Sequence, residues 1–229
     1  MNATLSRRLV AEGLGTALLL SVVVGSGIMA EQLSGGSTAL ALLDNTLATG
    51  AGLLALILTL GPISGAHFNP CVTLAAMWQK QLAPHEAAAY VLVQLPAAIL
   101  GVWLAHAMFA LPVLELSRHV RHGQGQWLSE GVATFSLLLV ILGTSRHGPA
   151  KTLMAVAAII TAAYWFTAST SFANPAVTVA RALTDSFAGI RPSDVPGFLL
   201  AQLAGAITAI ACTGWLLQNG SSDQLPDTP

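Results

Sequence analysis

Apolar residues fill long stretches of this chain, and polar or charged positions gather at their ends. About 20 residues of helix cross the hydrocarbon core of a bilayer. On that scale six spans are predicted, over residues 7–30, 38–60, 85–111, 126–145, 150–168 and 195–218. Two apolar stretches overshoot. No Asp, Glu, Lys or Arg occurs from Asn45 to Gln79, or from Thr152 to Ala180, and each stretch is too long for one span and too short for two. Each carries Asn-Pro in its later part, Asn69-Pro70 and Asn174-Pro175. Proline suits the first turn of a helix, where its missing N–H has no partner to lose. Each overshoot therefore predicts a span, a short non-helical stretch, and a new short helix, over Pro70–Trp78 and Pro175–Leu183. Non-helical backbone at membrane depth persists only where protein buries it or where it lines a watery cavity.

The two halves repeat. "AEGLGTALLL" (Ala11–Leu20) aligns with "SEGVATFSLLL" (Ser129–Leu139), pairing Glu12 with Glu130 and Thr16 with Thr134. "HFNPCVT" (His67–Thr73) aligns with "SFANPAVT" (Ser171–Thr178), pairing Asn69 with Asn174. "YVLVQLPAAI" (Tyr90–Ile99) aligns with "FLLAQLAGAI" (Phe198–Ile207), pairing Gln94 with Gln202. Each half, about 7–111 and 126–218, holds three spans. The odd number inserts the second half upside down, and inverted repeats place broken helices at the bilayer midplane with their N-termini facing each other. The expectation is one transmembrane domain over residues 1–229.

Composition agrees. Hydrophobic residues make up 54% of the chain and charged residues only 8%, against about 25% charged in soluble domains; mean hydropathy is +0.70. The net charge of −1 points to no nucleic acid. Two cysteines, Cys71 and Cys212, make no disulfide framework. No nucleophile–base pair, metal cluster or cofactor motif is visible, which speaks against an enzyme. The uncharged run Gly13–Ala30 is longer than a signal-peptide core and reads as a retained helix. Arg7 and Arg8 favour a cytoplasmic N-terminus, and six spans bring the C-terminus to the same side. Arg146 and Lys151 then lie inside, as the positive-inside rule asks, whereas Arg118 and Arg121 lie outside, against it.

Six spans, paired Asn-Pro half-helices and a Glu at the start of each half resemble the major intrinsic proteins, the aquaporins and aquaglyceroporins. The family's paired Asn-Pro-Ala boxes look like Asn69-Pro70-Cys71 and Asn174-Pro175-Ala176. The resemblance implies an all-α membrane fold of six transmembrane helices and two re-entrant half-helices, a passive pore in every monomer, homotetramers, and no cofactor. It implies that Asn69 and Asn174 donate hydrogen bonds to passing solute at the pore centre while two helix dipoles repel cations. Each Asn could otherwise be only a helix N-cap. Glu12 and Glu130, acids inside spans, would hold the non-helical loops by accepting backbone N–H bonds, with Gln94 and Gln202 bracing them; proton relay is the other reading. His67 would shape the inner mouth. Cys71 reads as a small packing residue, or as a thiol beside the pore.

By spacing from the boxes, the resemblance places the narrow filter at Thr49, Ala162, Ser171 and Val177. Water-selective members carry Phe, His, a small residue and Arg there, and glycerol channels carry two aromatics, Gly and Arg. This chain would have neither aromatic, histidine nor arginine, giving a wide neutral ring. Arg181 shares a helical face with Asn174 and Val177. It would stand beside the outer vestibule, or else snorkel to the interface or pair with Asp185 at i+4. "RHVRHGQG" (Arg118–Gly125) reads as a solvated outer loop.

The expected function is a passive channel in the bacterial inner membrane for small uncharged solutes such as polyols, water and arsenous acid; the Cys71 box with Val177 looks similar to channels associated with bacterial arsenic resistance. A water-selective pore and a proton-coupled transporter are the rivals.

Overall fold

A computed structural model describes residues 3–217. Among these residues the chain forms eight α-helices: α1 (Leu5–Leu33), α2 (Thr38–Ser64), α3 (Pro70–Trp78), α4 (Pro84–Met108), α5 (Gln124–Thr144), α6 (Pro149–Phe166), α7 (Pro175–Arg181) and α8 (Val195–Leu216). Six are long and apolar enough to cross a membrane, and each overlaps a predicted span. The two short ones begin at the predicted prolines. The helix α7 ends at Arg181, two residues before the expected Leu183, because Ala182 and Leu183 turn back to bond the carbonyls of Val179 and Ala180.

The helices α1, α2 and α4 pack together in the first half, and α5, α6 and α8 in the second. The halves meet where α2 lies on α6 and where each half-helix crosses over, α3 onto α8 and α7 onto α4. Small residues permit the closest approaches. A Cβ at Gly101 on α4 would run into the Ala17 carbonyl of α1, and one at Gly205 on α8 would meet the Gly131 backbone of α5. These two glycines therefore serve packing inside the chain. Leucines such as Leu92, Leu128 and Leu200 face outward, as a lipid-bathed surface requires.

Candidate functional site: a two-box pore

Both half-helices are built alike. Asn69 and Asn174 cap them in extended conformation, with Oδ1 accepting from Cys71 N at 2.9 Å in one case and from Ala176 N at 3.0 Å in the other. Pro70 and Pro175 occupy the first turn, where no N–H is missed. The capping role and the pore role are compatible, because capping uses the side-chain oxygen and leaves the amide nitrogen. Asn69 Nδ2 donates to Ala173 O at 2.8 Å, and Asn174 Nδ2 donates to Phe68 O at 2.7 Å. Each amide thus bonds the carbonyl just before the other box. One amide hydrogen of each Asn is left for the cavity that both residues line.

The loops entering the boxes are strained in the same way. Ala66 and Phe68 take positive φ of 49° each before the first box, and Ser171 and Ala173 take 52° and 48° before the second. Non-glycine residues held there cost about 1–3 kcal/mol each. Buried carboxylates hold them. Glu12 accepts from His67 N at 2.9 Å and Phe68 N at 2.8 Å, and also from Ser64 Oγ and Gln94 Nε2. Glu130 accepts from Phe172 N at 2.8 Å, Ala173 N at 2.9 Å and Gln202 Nε2 at 2.6 Å. Hydrogen bonds to a charged group contribute about 1.5–3 kcal/mol each, enough to offset the strain. The donors to these carboxylates come from the two loops and from side chains of the surrounding helices.

Sequence reasoning missed two further braces. Thr73 and Thr178, four residues after each Asn, bond Gln94 Nε2 at 3.1 Å and Gln202 Nε2 at 2.8 Å. The signal was present, since the aligned box segments pair these two threonines. His67 lines the inner part of the cavity, with Nδ1 3.2 Å from Thr73 Oγ1 and its ring tilted against Tyr90.

The cavity has a volume of about 730 Å³. Along α2 its lining runs from Pro62 to Thr49, about 20 Å at 1.5 Å per residue. Thr49, Ser171 and Val177 all line it. Ala162 does not: it is exposed on the outer face of α6. The face of α6 turned inward carries Ile160 and Tyr164, one turn apart, and Tyr164 Oη donates to Thr49 Oγ1 at 3.2 Å. The ring is therefore not free of aromatics. Counting back a fixed distance from Asn174 fails because residues 167–173 are irregular backbone, which carries no helical phase from α7 to α6.

Three further positions have two readings or one that changes. Cys71 is 3% exposed and absent from the cavity lining; its Sγ lies 4.0 Å from Gln202 O among Ala75, Leu138 and Ala206, so it packs and does not face solute. Arg181 neither reaches the interface nor pairs with Asp185. It is 1% exposed, lines the outer end of the cavity, and its Asp185 neighbour pairs with Arg118 at 2.6 Å. The loop Arg118–Gly125 is not wholly solvated either. Arg121 is 6% exposed, and its guanidinium bonds the carbonyls of Gly189, Ser169 and Phe187, which pull it in.

Comparison with known proteins agrees with this construction. The sequence profile described as "Major intrinsic protein" matches residues 1–160, ending before the second box. The chain is 56% identical over 214 residues to the aquaglyceroporin AqpS of Rhizobium meliloti (strain 1021), covering 93% of this chain and 91% of that protein. It is 30% identical over 240 residues to the probable aquaporin AqpM of Archaeoglobus fulgidus, covering 91% and 96%. The fold matches the X-ray structure of the aquaglyceroporin from Plasmodium falciparum with a TM-score of 0.69 over 93% of this chain and 95% of that one, at 20% identity.

Proposed function

The chain belongs to the major intrinsic protein family of multi-pass membrane channels, and on that premise we propose that it is a passive pore for small uncharged solutes of polyol size. The observation that carries the reading is the pair of Asn caps whose amides interlock across one long cavity. Two helix N-termini converge there, and their dipoles raise the energy of any cation while neutral solute passes. The boxes Asn69-Pro70-Cys71 and Asn174-Pro175-Ala176 form the central constriction. Glu12, Glu130, Gln94 and Gln202 support it, and His67 shapes the inner mouth.

The outer filter is Thr49, Ser171 and Val177 with Tyr164 in place of Ala162. One bulky wall faces three small ones, and no arginine occupies the Val177 position. Such a ring admits glycerol and neutral metalloid hydroxides such as arsenous acid, which is uncharged near neutral pH and of similar size. The channel is one domain of two inverted repeats, each monomer holds its own pore, and the monomers assemble as a homotetramer in the inner membrane with both termini cytoplasmic.

The test is Val177→Arg, with uptake of water, glycerol and arsenite measured in parallel. The variant is expected to cut glycerol and arsenite uptake by at least about tenfold, as about 1.4 kcal/mol of added barrier does, and to spare water. Unchanged uptake of the larger solutes removes Val177 from the constriction. Absence of glycerol uptake by the wild type leaves the water-selective reading.

A further inference from the structure

At the outer end of the cavity two guanidinium groups face one aromatic ring. Arg181 Cζ lies 3.4 Å from the centre of the Phe172 ring, and Arg121 Cζ lies 5.0 Å from it. Among the described residues neither guanidinium has a carboxylate within salt-bridge distance. The two differ in how they are satisfied. Arg121 uses Nε and both terminal nitrogens on carbonyls of the outer loops, so it clamps those loops together. Arg181 donates only through Nε, to Ala188 O, and lines the cavity. Its two terminal nitrogens have no hydrogen-bond partner among the described residues, and neither is among the buried atoms sealed without one. They open onto the cavity.

The position of Arg181 follows from helix geometry. The helix α7 starts at the central constriction and runs outward, and side chains on a helix lean toward its N-terminus. Arg181 stands four residues beyond Val177, about 6 Å farther along the axis, and its long side chain leans back over that distance. Phe172 beneath the guanidinium is the residue next to Ser171, a wall of the ring. The charge absent from position 177 thus returns to the same level from one turn farther out. There its Cζ lies 3.4 Å from the centre of the Phe172 ring.

We propose that Arg181 is the cation-excluding residue of the outer constriction, supplying the positive charge of the filter while Val177 leaves the ring open to polyol-sized solutes. This rests on the channel reading above and separates two properties that an arginine at position 177 would tie together, width and charge. A buried guanidinium without a counter-ion repels K⁺ and Na⁺ strongly, because little water screens it. Its free N–H groups can meanwhile donate to the hydroxyls of a neutral solute. The ionisable groups around it are Tyr164, Arg121, Glu130 and His119, and the carboxylate of Glu130 is already taken up by loop N–H groups and Gln202.

The experiment measures K⁺ and glycerol permeability of the full-length protein in the same lipid vesicles. The ratio of K⁺ to glycerol permeability is expected to rise at least about tenfold in Arg181→Gln, equivalent to about 1.4 kcal/mol of lost barrier. An unchanged ratio in vesicles that contain the variant overturns the proposal. If Arg181→Gln does not reach the membrane, Arg181→Lys decides. Lysine loses its charge as pH rises toward about 10 whereas arginine keeps it, so the ratio should climb with pH in the lysine variant and stay flat in the wild type. A flat ratio in Arg181→Lys that equals the wild-type value across that range also overturns it. Absence of glycerol flux in the wild type counts against the channel reading, and the proposal is then read from K⁺ permeability alone, which should still rise at least about tenfold in Arg181→Gln.

Discussion

Tyr164 and Thr49 are joined by a hydrogen bond of 3.2 Å across the outer end of the cavity, tying α6 to α2 between the two halves of the molecule. Both residues are buried, at 3% exposure each. The phenol is a large neutral side chain in the cavity lining beside Thr49, so on the proposed filter its removal should widen the ring. Tyr164→Ala is expected to admit solutes larger than glycerol: vesicles that hold their volume in sorbitol should swell. Tyr164→Phe loses only the hydrogen bond, about 1 kcal/mol, and should keep sorbitol out. Sorbitol exclusion by both variants would place the narrow point elsewhere.

Glu130 holds the loop before the second box through Phe172 N and Ala173 N. Glutamine in its place offers one acceptor oxygen and turns an NH₂ group toward backbone N–H groups that need acceptors. Leaving a buried donor unpaired costs about 1–3 kcal/mol, and Phe172 N and Ala173 N would lose their acceptor, Ala173 with it the bond that holds its left-handed backbone. Glu130→Gln should lower the melting temperature in detergent and reduce glycerol flux per folded molecule. A variant that kept both, and whose flux instead lost a dependence on a pH gradient, would restore the proton-coupled reading.

Cys71 is buried on the side of α3 that meets α8, with Sγ 4.0 Å from Gln202 O. Mercurial reagents added to intact vesicles should therefore leave glycerol flux unaffected on the time scale of the assay, and Cys71→Ala should behave the same way. Rapid block that disappears in Cys71→Ala would show that the thiol reaches the pore.

Asp185 ties the outer loop to the segment following α7. It accepts from Arg118 N at 2.8 Å and from Arg118 Nε at 2.7 Å. The backbone N–H and then the guanidinium of Arg118 hold the carboxyl below the usual aspartate range. A carboxyl whose folded value is depressed stabilises the folded loop fully above its unfolded value, about 3.9, and that stabilisation fades as pH falls through the folded value. Residues 112–123 should resist pepsin at pH about 4 to 5 and become sensitive only below that. In Asp185→Asn the loop should be cut throughout. Equal cleavage of both proteins would mean that the ion pair does not order the loop.

Much of this was legible in the residues. Pro70 and Pro175 fixed where the short helices begin, because no other residue so cheaply starts a helix at membrane depth. The pairing of Glu12 with Glu130 and Gln94 with Gln202 announced the buried scaffolds, since such groups are too costly in lipid to lack partners. The face of α6 was not legible. In a soluble helix Ala162 and Tyr164 would be sorted by polarity, but here lipid outside and protein inside are both apolar, so the pattern carries no phase. The Phe166 to Asn174 connection then broke the count from the box. Arg121 was misplaced for a different reason. A cluster of charges in a loop normally signals solvent, and the carbonyls that recruit this guanidinium lie 48 to 68 positions later in the chain.

The exchange of bonds between Asn69 and Ala173, and between Asn174 and Phe68, has a consequence for biosynthesis. The first box is made and inserted long before Ala173 leaves the ribosome, so its amide must wait without its native acceptor while some hundred residues are translated. The conduit therefore cannot assemble piecemeal. It is completed only when the last third of the chain, which carries Ala173 and Asn174, has joined the first box.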